Sequence, residues 1–300
     1  MITGPLKWRE PIVDPFKIPF NNGLSLHKIA GYPHAGNDVF ACSGSLRDKA
    51  ADFYLKISRH CDADLSNEAA VLGEMQRVGL PVPRVYSQGE HEGAAYLAVA
   101  AMPGERLSAL LNGSRSQHYR QKLPELLFRM GRMLGNIHSL PLLWRPVKLR
   151  RQHDLPGLFG ENPLFQKLQP VLKWLEGHIP ERSKSVFVHG DYHYANVLWE
   201  NDDISAILDW ELCGAGWREF DLAWATILRP SQQFLKTAIE VDAFLCGYRE
   251  AAQYDAEALR WCQKLVYCHF LNSKGTWHEN EYQKAALSVL ERIDRPQPRQ

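Results

Sequence analysis

Residues 186–210, VFVHGDYHYANVLWENDDISAILDW, constrain the fold of this chain more than any other stretch. VFV (186–188) and ISAIL (204–208) are short, apolar and partly β-branched, so each reads as a strand. His189, Gly190 and Asp191 follow the first strand directly. Asn196 stands five residues after Asp191, and Asp209 thirteen residues after Asn196, where the second strand ends. Two strands thus present a carboxylate, a carboxamide and a second carboxylate at fixed intervals.

Read singly, each of these residues has an ordinary structural role. Asp191 can cap the next turn, Asn196 can sit in a turn, and Asp209 can close an Asx turn. Read together they form a chemical set. A carboxylate beside a substrate hydroxyl can orient it and receive its proton. A carboxamide plus a carboxylate suits Mg²⁺, which takes oxygen ligands and leaves positions for phosphates and water. An Asp, then an Asn after four residues, then an Asp after a strand is the order found in phosphoryl-transfer sites of kinases.

Composition narrows the alternatives. The 300 residues allow one large domain or two lobes with cores of their own. Lys plus Arg number 35 and Asp plus Glu 34, and this balance argues against a nucleic-acid or membrane-surface partner. The opening MITGPLKWREPIVDPFKIPF lacks the apolar run of a signal peptide, and no stretch is long and apolar enough to span a bilayer. The six cysteines are scattered without paired C-x-x-C spacing, which suggests reduced thiols in a cytoplasmic protein.

The amino-terminal hundred residues read mostly as strands: 24–29, 39–43, 53–58, 82–87 and 94–101, with GSLRDKAAD and QGEHEG as turns. One helix interrupts them over 64–79, where Ala69, Val71, Leu72, Met75 and Val78 recur at helical spacing, Asp64 or Ser66 can cap the start and Gly79 can end it. After Met102-Pro103-Gly104 the pattern turns helical, at 107–111, 123–140, 168–178 and in four segments from Glu219 onward. The tail RPQPRQ is expected to be disordered. The expected fold is therefore α+β with two lobes: residues 1–102, small, β-rich and carrying one helix, and residues 103–300, larger and mostly helical.

The first lobe supplies partners for the motif. Lys56 is the one cation inside the strand FYLKIS, and a lysine there is costly unless it meets an anion. Glu68, twelve residues later in NEAAVL, can meet it across to the helix. The alternative is a lysine snorkelling at a sheet edge and a glutamate favoured by the helix dipole. A loop over phosphate has one candidate, GYPHAGNDVF (31–40), in which backbone N–H groups near Gly36, Asn37 and Asp38 could touch phosphate; a plain hairpin turn fits nearly as well.

These segments carry a family resemblance. AGNDVF, FYLKIS, NEAAVL, MPGERL, GNIHSL, VHGDYHYAN, ILDWE and EFDLAWA resemble the aminoglycoside phosphotransferase family, relatives of choline kinase with a protein-kinase-like fold. The resemblance runs from about Gly23 to beyond Tyr248. It implies an ATP- or GTP-dependent O-phosphotransferase that moves the γ-phosphate to a small-molecule hydroxyl, with Asp191 as catalytic base and Asn196 and Asp209 as Mg²⁺ ligands. Lys56 and Glu68 would anchor phosphate, His189 would brace the loop, and Asp221 of FDLAWA would tie its backbone. Residues 99–103, through Ala100 and Met102, would hold the nucleotide base. The competing expectations are a kinase-fold nucleotide-binding protein without turnover, and a choline- or sugar-type metabolite kinase. Asp209 is followed by Trp-Glu rather than Phe-Gly, unlike protein kinases.

The acceptor is less defined. From Gly104 onward there are 25 Lys plus Arg against 23 Asp plus Glu, so this part is not acidic enough overall to suggest a dedicated polycation site. The chain also lacks the acidic, phenylalanine-rich tail of kanamycin-type resistance enzymes, and a role in antibiotic resistance stays open. His193, Trp210, Glu211 and Glu279 are candidate acceptor contacts: the acids for an amine, the indole for stacking on a sugar or amine. Partners are expected to be a small hydroxyl acceptor, without nucleic acid or membrane, in a monomer or homodimer.

Overall fold

The computed structural model describes residues 10–33, 36–59, 65–142, 161–181, 185–230, 232 and 234–293. In chain order the strands are β1 (Leu24–Gly31), β2 (Asp38–Leu46), β3 (Lys49–Ile57), β4 (Val85–His91), β5 (Ala94–Ala100), β6 (Glu105–Arg106), β7 (Val186–Val188), β8 (Val197–Glu200), β9 (Asp203–Ile207) and β10 (Gly214–Gly216). The helices are α1 (Leu65–Arg77), α2 (Leu107–Leu110), α3 (Ser116–His138), α4 (Phe165–Gly177), α5 (Arg218–Thr226), α6 (Ala238–Arg249), α7 (Ala256–Asn272) and α8 (Asn280–Ile293). The fold is α+β, with two compact units: residues 2–106 with 196–211, and residues 107–195 with 212–300. Residues 196–211 thus group with the amino-terminal strands, although they lie far beyond Met102 in sequence. The expected tail and the capping residue Asp64 lie outside the described residues.

In the first unit, an antiparallel sheet runs in the order β1-β2-β3-β5-β4. Alternation along β3 sets its two faces. Phe53, Leu55 and Ile57 are buried on one side with Phe40, Cys42, Tyr96 and Ala98. Lys56, out of phase by one residue, serves the opposite face. Helix α1 packs on β4 and β5. It ends as its glycine suggests: Gly79 has φ +80°, and the Leu80 N–H bonds the Met75 carbonyl at 2.9 Å. β6, β8 and β9 form a second small sheet.

Three hairpins are tighter than the sequence indicates. Leu46 pairs Lys49 around Arg47-Asp48, His91 pairs Ala94 around Glu92-Gly93, and Glu200 pairs Asp203 around Asn201-Asp202. All six central residues have positive φ, between +49° and +78°. Two consecutive left-handed residues make the I′ turn that matches strand twist. Five of the six are not glycine, so GSLRDKAAD and QGEHEG read as longer turns than they are. At the other end of β4, pairing starts at Val85 because Pro81 and Pro83 have no N–H to give.

Among its described residues, the second unit has the β7–β10 pair as its only strands and is otherwise built on helices. Helix α3 starts seven residues before its apolar periodicity, since only Tyr119 is buried in the polar stretch before Leu123. α3 and α6 meet backbone to backbone. A Cβ on Gly131 would lie 1.9 Å from the Phe244 carbonyl oxygen, and one on Gly247 1.8 Å from that of Phe128. Only glycine allows this approach.

Candidate active site

The first unit brings together a lysine and three carboxylates. Lys56 Nζ donates to Glu68 Oε1 at 3.0 Å and to Asp209 Oδ1 at 2.7 Å, and Glu211 Oε2 lies 3.7 Å away. Strand β3 supplies the lysine, the first turn of α1 supplies Glu68, and the segment after β9 supplies Asp209 and Glu211. Burial alone would favour neutral Lys56, but Glu68, Asp209 and Glu211 outweigh it and raise its pKa well above the ordinary value. The lysine is a fixed cation.

Asn196 and Asp209 are set on neighbouring strand ends. The Leu208 N–H bonds the Asn196 carbonyl at 2.8 Å, extending the β8–β9 ladder by one step. Asp209 then turns the chain at φ +64°, a conformation uncommon for a residue with a Cβ. Its carboxylate is about one-third exposed. A magnesium ion fits this donor set. Three carboxylates surround one ammonium, so two negative charges remain uncompensated by Lys56. The available ligands, a carboxamide and an open carboxylate, are hard oxygen donors.

The phosphate-loop candidates lie beside this cluster. Gly36 has φ +82° and open space where a Cβ would be. Asn37 is nearly buried and donates through Nδ2 to Glu211 Oε2 at 3.1 Å. The next residue anchors the loop: buried Asp38 accepts from the Ile12 N–H at 3.1 Å, from Tyr32 and from Arg59. His34 and Ala35 fall outside the described residues.

Two expectations for the first unit change, those for the Ala100 N–H and for the Trp210 ring. The Ala100 N–H is already bonded to the carbonyl of Arg84, the residue just before β4, at 2.8 Å, so this donor cannot serve a nucleotide base. Met102, two residues past the end of β5, takes no part in that sheet. Trp210 is fully buried and its Nε1 donates to the Ile207 carbonyl at 3.1 Å. Its ring is core packing and cannot stack on an acceptor. Glu211 stands with Lys56 and Asn37.

The second unit builds the surroundings of Asp191. The chain leaves β7 at fully buried His189, and Gly190 has φ +84°. Buried Asp221, in the first turn of α5, accepts the His189 N–H and the Gly190 N–H, each at 2.9 Å. It also contacts His138 Nε2 at 3.2 Å, and His138 Nδ1 reaches the Tyr248 hydroxyl at 2.8 Å. His189 Nδ1 accepts the Asp191 N–H at 3.2 Å. The loop is therefore fixed by a buried carboxylate and a buried imidazole.

Asp191 Oδ1 accepts from Trp224 Nε1 at 2.6 Å and lies 3.5 Å from His193 Nε2. Burial would raise its pKa, but hydrogen bonding and charge from His193, the Trp224 indole and His189 lower it to about 2. His193, a candidate acceptor contact, is thus also a partner of Asp191. Sequence reading did not single out Trp224 as a partner of Asp191. The residue lies in EFDLAWA, three positions after Asp221, on the same face of α5. That spacing was the available signal.

A cavity of about 860 Å³ lies in this unit, lined by Leu228, Arg229, Lys236, Glu279 and Tyr282 among others. Glu279, expected near the acceptor, is in its wall. Among the described residues, no helix is long and apolar enough to cross a membrane.

An antiparallel sheet with one helix carrying a Lys–Glu pair, and a helical unit carrying an Asp-bearing loop after a strand, define a protein-kinase-like phosphotransferase fold. Solved structures show the same architecture. An aminoglycoside-3′-phosphotransferase of type VIII matches with a TM-score of 0.59 at 22% identity, over 81% of this chain and 93% of that one. A thermostable mutant of aminoglycoside phosphotransferase APH(4)-Ia, in ternary complex with ADP and hygromycin B, matches with a TM-score of 0.63 at 15% identity, over 91% and 96%. In sequence the chain is similar to an aminoglycoside 3′-phosphotransferase of Streptomyces fradiae, 29% identical over 220 residues, covering 68% of this chain and 76% of that protein. The chain belongs to the phosphotransferase enzyme family, whose family model matches residues 34–262.

Proposed function

We propose that the protein is an O-phosphotransferase that uses ATP or GTP with Mg²⁺ to phosphorylate a hydroxyl of a small molecule. The observation that carries this reading is the Lys56 ammonium held between Glu68 and Asp209 at 3.0 and 2.7 Å. A lysine fixed in this way presents a permanent charge to nucleotide phosphates. The ADP bound in the APH(4)-Ia relative supports a nucleotide co-substrate.

Each residue then has a role. Lys56 holds phosphate oxygens and Glu68 holds Lys56. Asn196 and Asp209 would hold Mg²⁺, which supplies charge neutralisation for the leaving phosphates. Asp191 orients the acceptor hydroxyl. As the hydroxyl oxygen bonds to the γ-phosphorus, the bond to the bridging oxygen breaks and its electron pair leaves with the nucleoside diphosphate. The hydroxyl proton passes to Asp191. With its pKa lowered to about 2, Asp191 is a weak base. That suits a loose transition state in which proton transfer comes late and positioning dominates.

The test is ADP or GDP release across hydroxyl acceptors: aminoglycosides, a macrolide, choline, sugars and hydroxy acids. Mg²⁺-dependent release stimulated by one acceptor, and abolished in Asp191→Asn, is the expected result. Nucleotide binding without any acceptor-stimulated release would favour a binding protein without turnover.

A further inference from the structure

Arg229, just beyond α5, feels the charge of the Asp191 carboxylate but makes no ion pair with any acid among the described residues. Its guanidinium carbon lies 4.8 Å from the Trp224 ring centroid and 5.2 Å from that of Phe270. Its Nη2 makes a long contact of 3.4 Å with the Trp224 carbonyl. Among the described residues no carboxylate lies within ion-pair distance, and the buried Nε has no hydrogen-bond partner. Tyr282, at the start of α8, is 7% exposed, and its hydroxyl is likewise buried without a partner. Both side chains line the same cavity of about 860 Å³.

Such an arrangement is costly unless something completes it. A buried polar atom left without a hydrogen bond carries the full desolvation cost of that group. Arginine cannot escape by losing its proton. The two vacant donors belong to one pocket wall, and that wall touches the catalytic loop through Trp224, whose indole binds Asp191 on its edge and Arg229 on its face. Glu279, Glu281 and Lys236 also line the cavity; Lys236 and Glu281 are exposed, and Glu279 is half-buried like Arg229. What sets the arginine apart is its buried Nε without a hydrogen-bond partner.

We propose that this cavity receives the acceptor, and that the acceptor carries an oxyanion, a carboxylate or a phosphate, which Arg229 binds with a second hydrogen bond from the Tyr282 hydroxyl. This rests on the reading of Asp191 as the residue that receives the acceptor hydroxyl. It makes the substrate a hydroxy acid or a phosphorylated alcohol. Aminoglycosides, whose charges are positive, have nothing to offer this pair.

The experiment follows the Arg229 Nε–H resonance in the full chain without nucleotide, identified by its loss in Arg229→Lys. The resonance is titrated with acetate, with inorganic phosphate and with trimethylammonium chloride. The expected result is a saturable shift with acetate or phosphate and none with the ammonium salt; the tighter of the two names the oxyanion. Tyr282→Phe, which removes only the hydroxyl, should weaken that binding roughly fivefold, the worth of one hydrogen bond. No saturable shift with either anion, or an equal response to trimethylammonium chloride, overturns the proposal. Because nucleotide is absent, that failure would leave phosphotransfer standing, and loss of nucleotide binding would leave the oxyanion site standing.

Discussion

Asp209 places its carboxylate 2.7 Å from the Lys56 ammonium while its own backbone holds a left-handed φ of +64°. The residue is thus unfavourable for the chain locally and useful for charge. A left-handed residue with a Cβ costs about 1–2 kcal/mol, less for Asp. Asp209→Gly should leave stability within about 1 kcal/mol of the parent, since glycine relieves the strain and one crowded negative charge is lost. The same variant should lose the thermal stabilisation given by Mg²⁺ and nucleotide together. Melting curves with and without both ligands check the split.

Removing Lys56 tests the cluster from the other side. Lys56→Met leaves buried Glu68 without its cation, and breaking a buried pair costs about 3–5 kcal/mol. Lys56→Met combined with Glu68→Leu should regain much of that loss, because the fully buried carboxylate goes with its cation and only the partly exposed Asp209 and Glu211 remain, yet should not bind nucleotide. Urea unfolding of the two variants gives the comparison. Equal destabilisation of the single and double variants would show that Glu68 is not held by Lys56.

The low pKa of Asp191 has a pH signature. Its folded value, about 2, lies below the ordinary value of an aspartate. The ionised form is therefore favoured by folding, and its contribution is present above pH 4 and lost as pH falls toward 2. The shift corresponds to about 2 kcal/mol. Trp224→Phe removes the indole donor and should raise the Asp191 pKa, visible in the carboxyl ¹³C resonance. It should also lower kcat more than it changes KM, since the hydroxyl-orienting carboxylate is less fixed. An unchanged titration in Trp224→Phe would contradict the role given to the indole.

Glycine positions separate packing from propensity. Gly131→Ala drives a methyl into the Phe244 carbonyl, 1.9 Å away on the rigid backbone of α6, and should cost more than about 3 kcal/mol. Gly73→Ala, inside α1, meets nothing within 4 Å and should gain up to about 1 kcal/mol from helix propensity. Chemical denaturation of both variants checks the opposite signs.

Much of this was legible in the sequence because periodic burial and oxygen-bearing side chains leave local marks. Phe53, Leu55 and Ile57 alternate around Lys56, so the strand and its misfit cation were visible together. Helix α1 was bounded by its own glycine. The turn at Arg47-Asp48 was read as too long and the hairpin at Asn201-Asp202 was not read, because left-handed turns can be forced by strand pairing on residues that do not advertise them. Strand β8 was missed for its brevity: four residues carry two alternations. Trp210 looked like a ligand-facing ring beside the motif, yet burial is set by tertiary packing that no neighbour in sequence reports. The same limit hid Arg229 and Tyr282, which meet at one cavity from positions 53 residues apart in the chain.

The most direct measurement is calorimetric titration of a non-hydrolysable ATP or GTP analogue into the full chain, with Mg²⁺ and with EDTA, for the parent and Asp209→Asn. Binding that requires Mg²⁺ in the parent and disappears in Asp209→Asn is the predicted result. Equal affinity with EDTA, equal affinity in the variant, or no binding of either nucleotide would contradict the account.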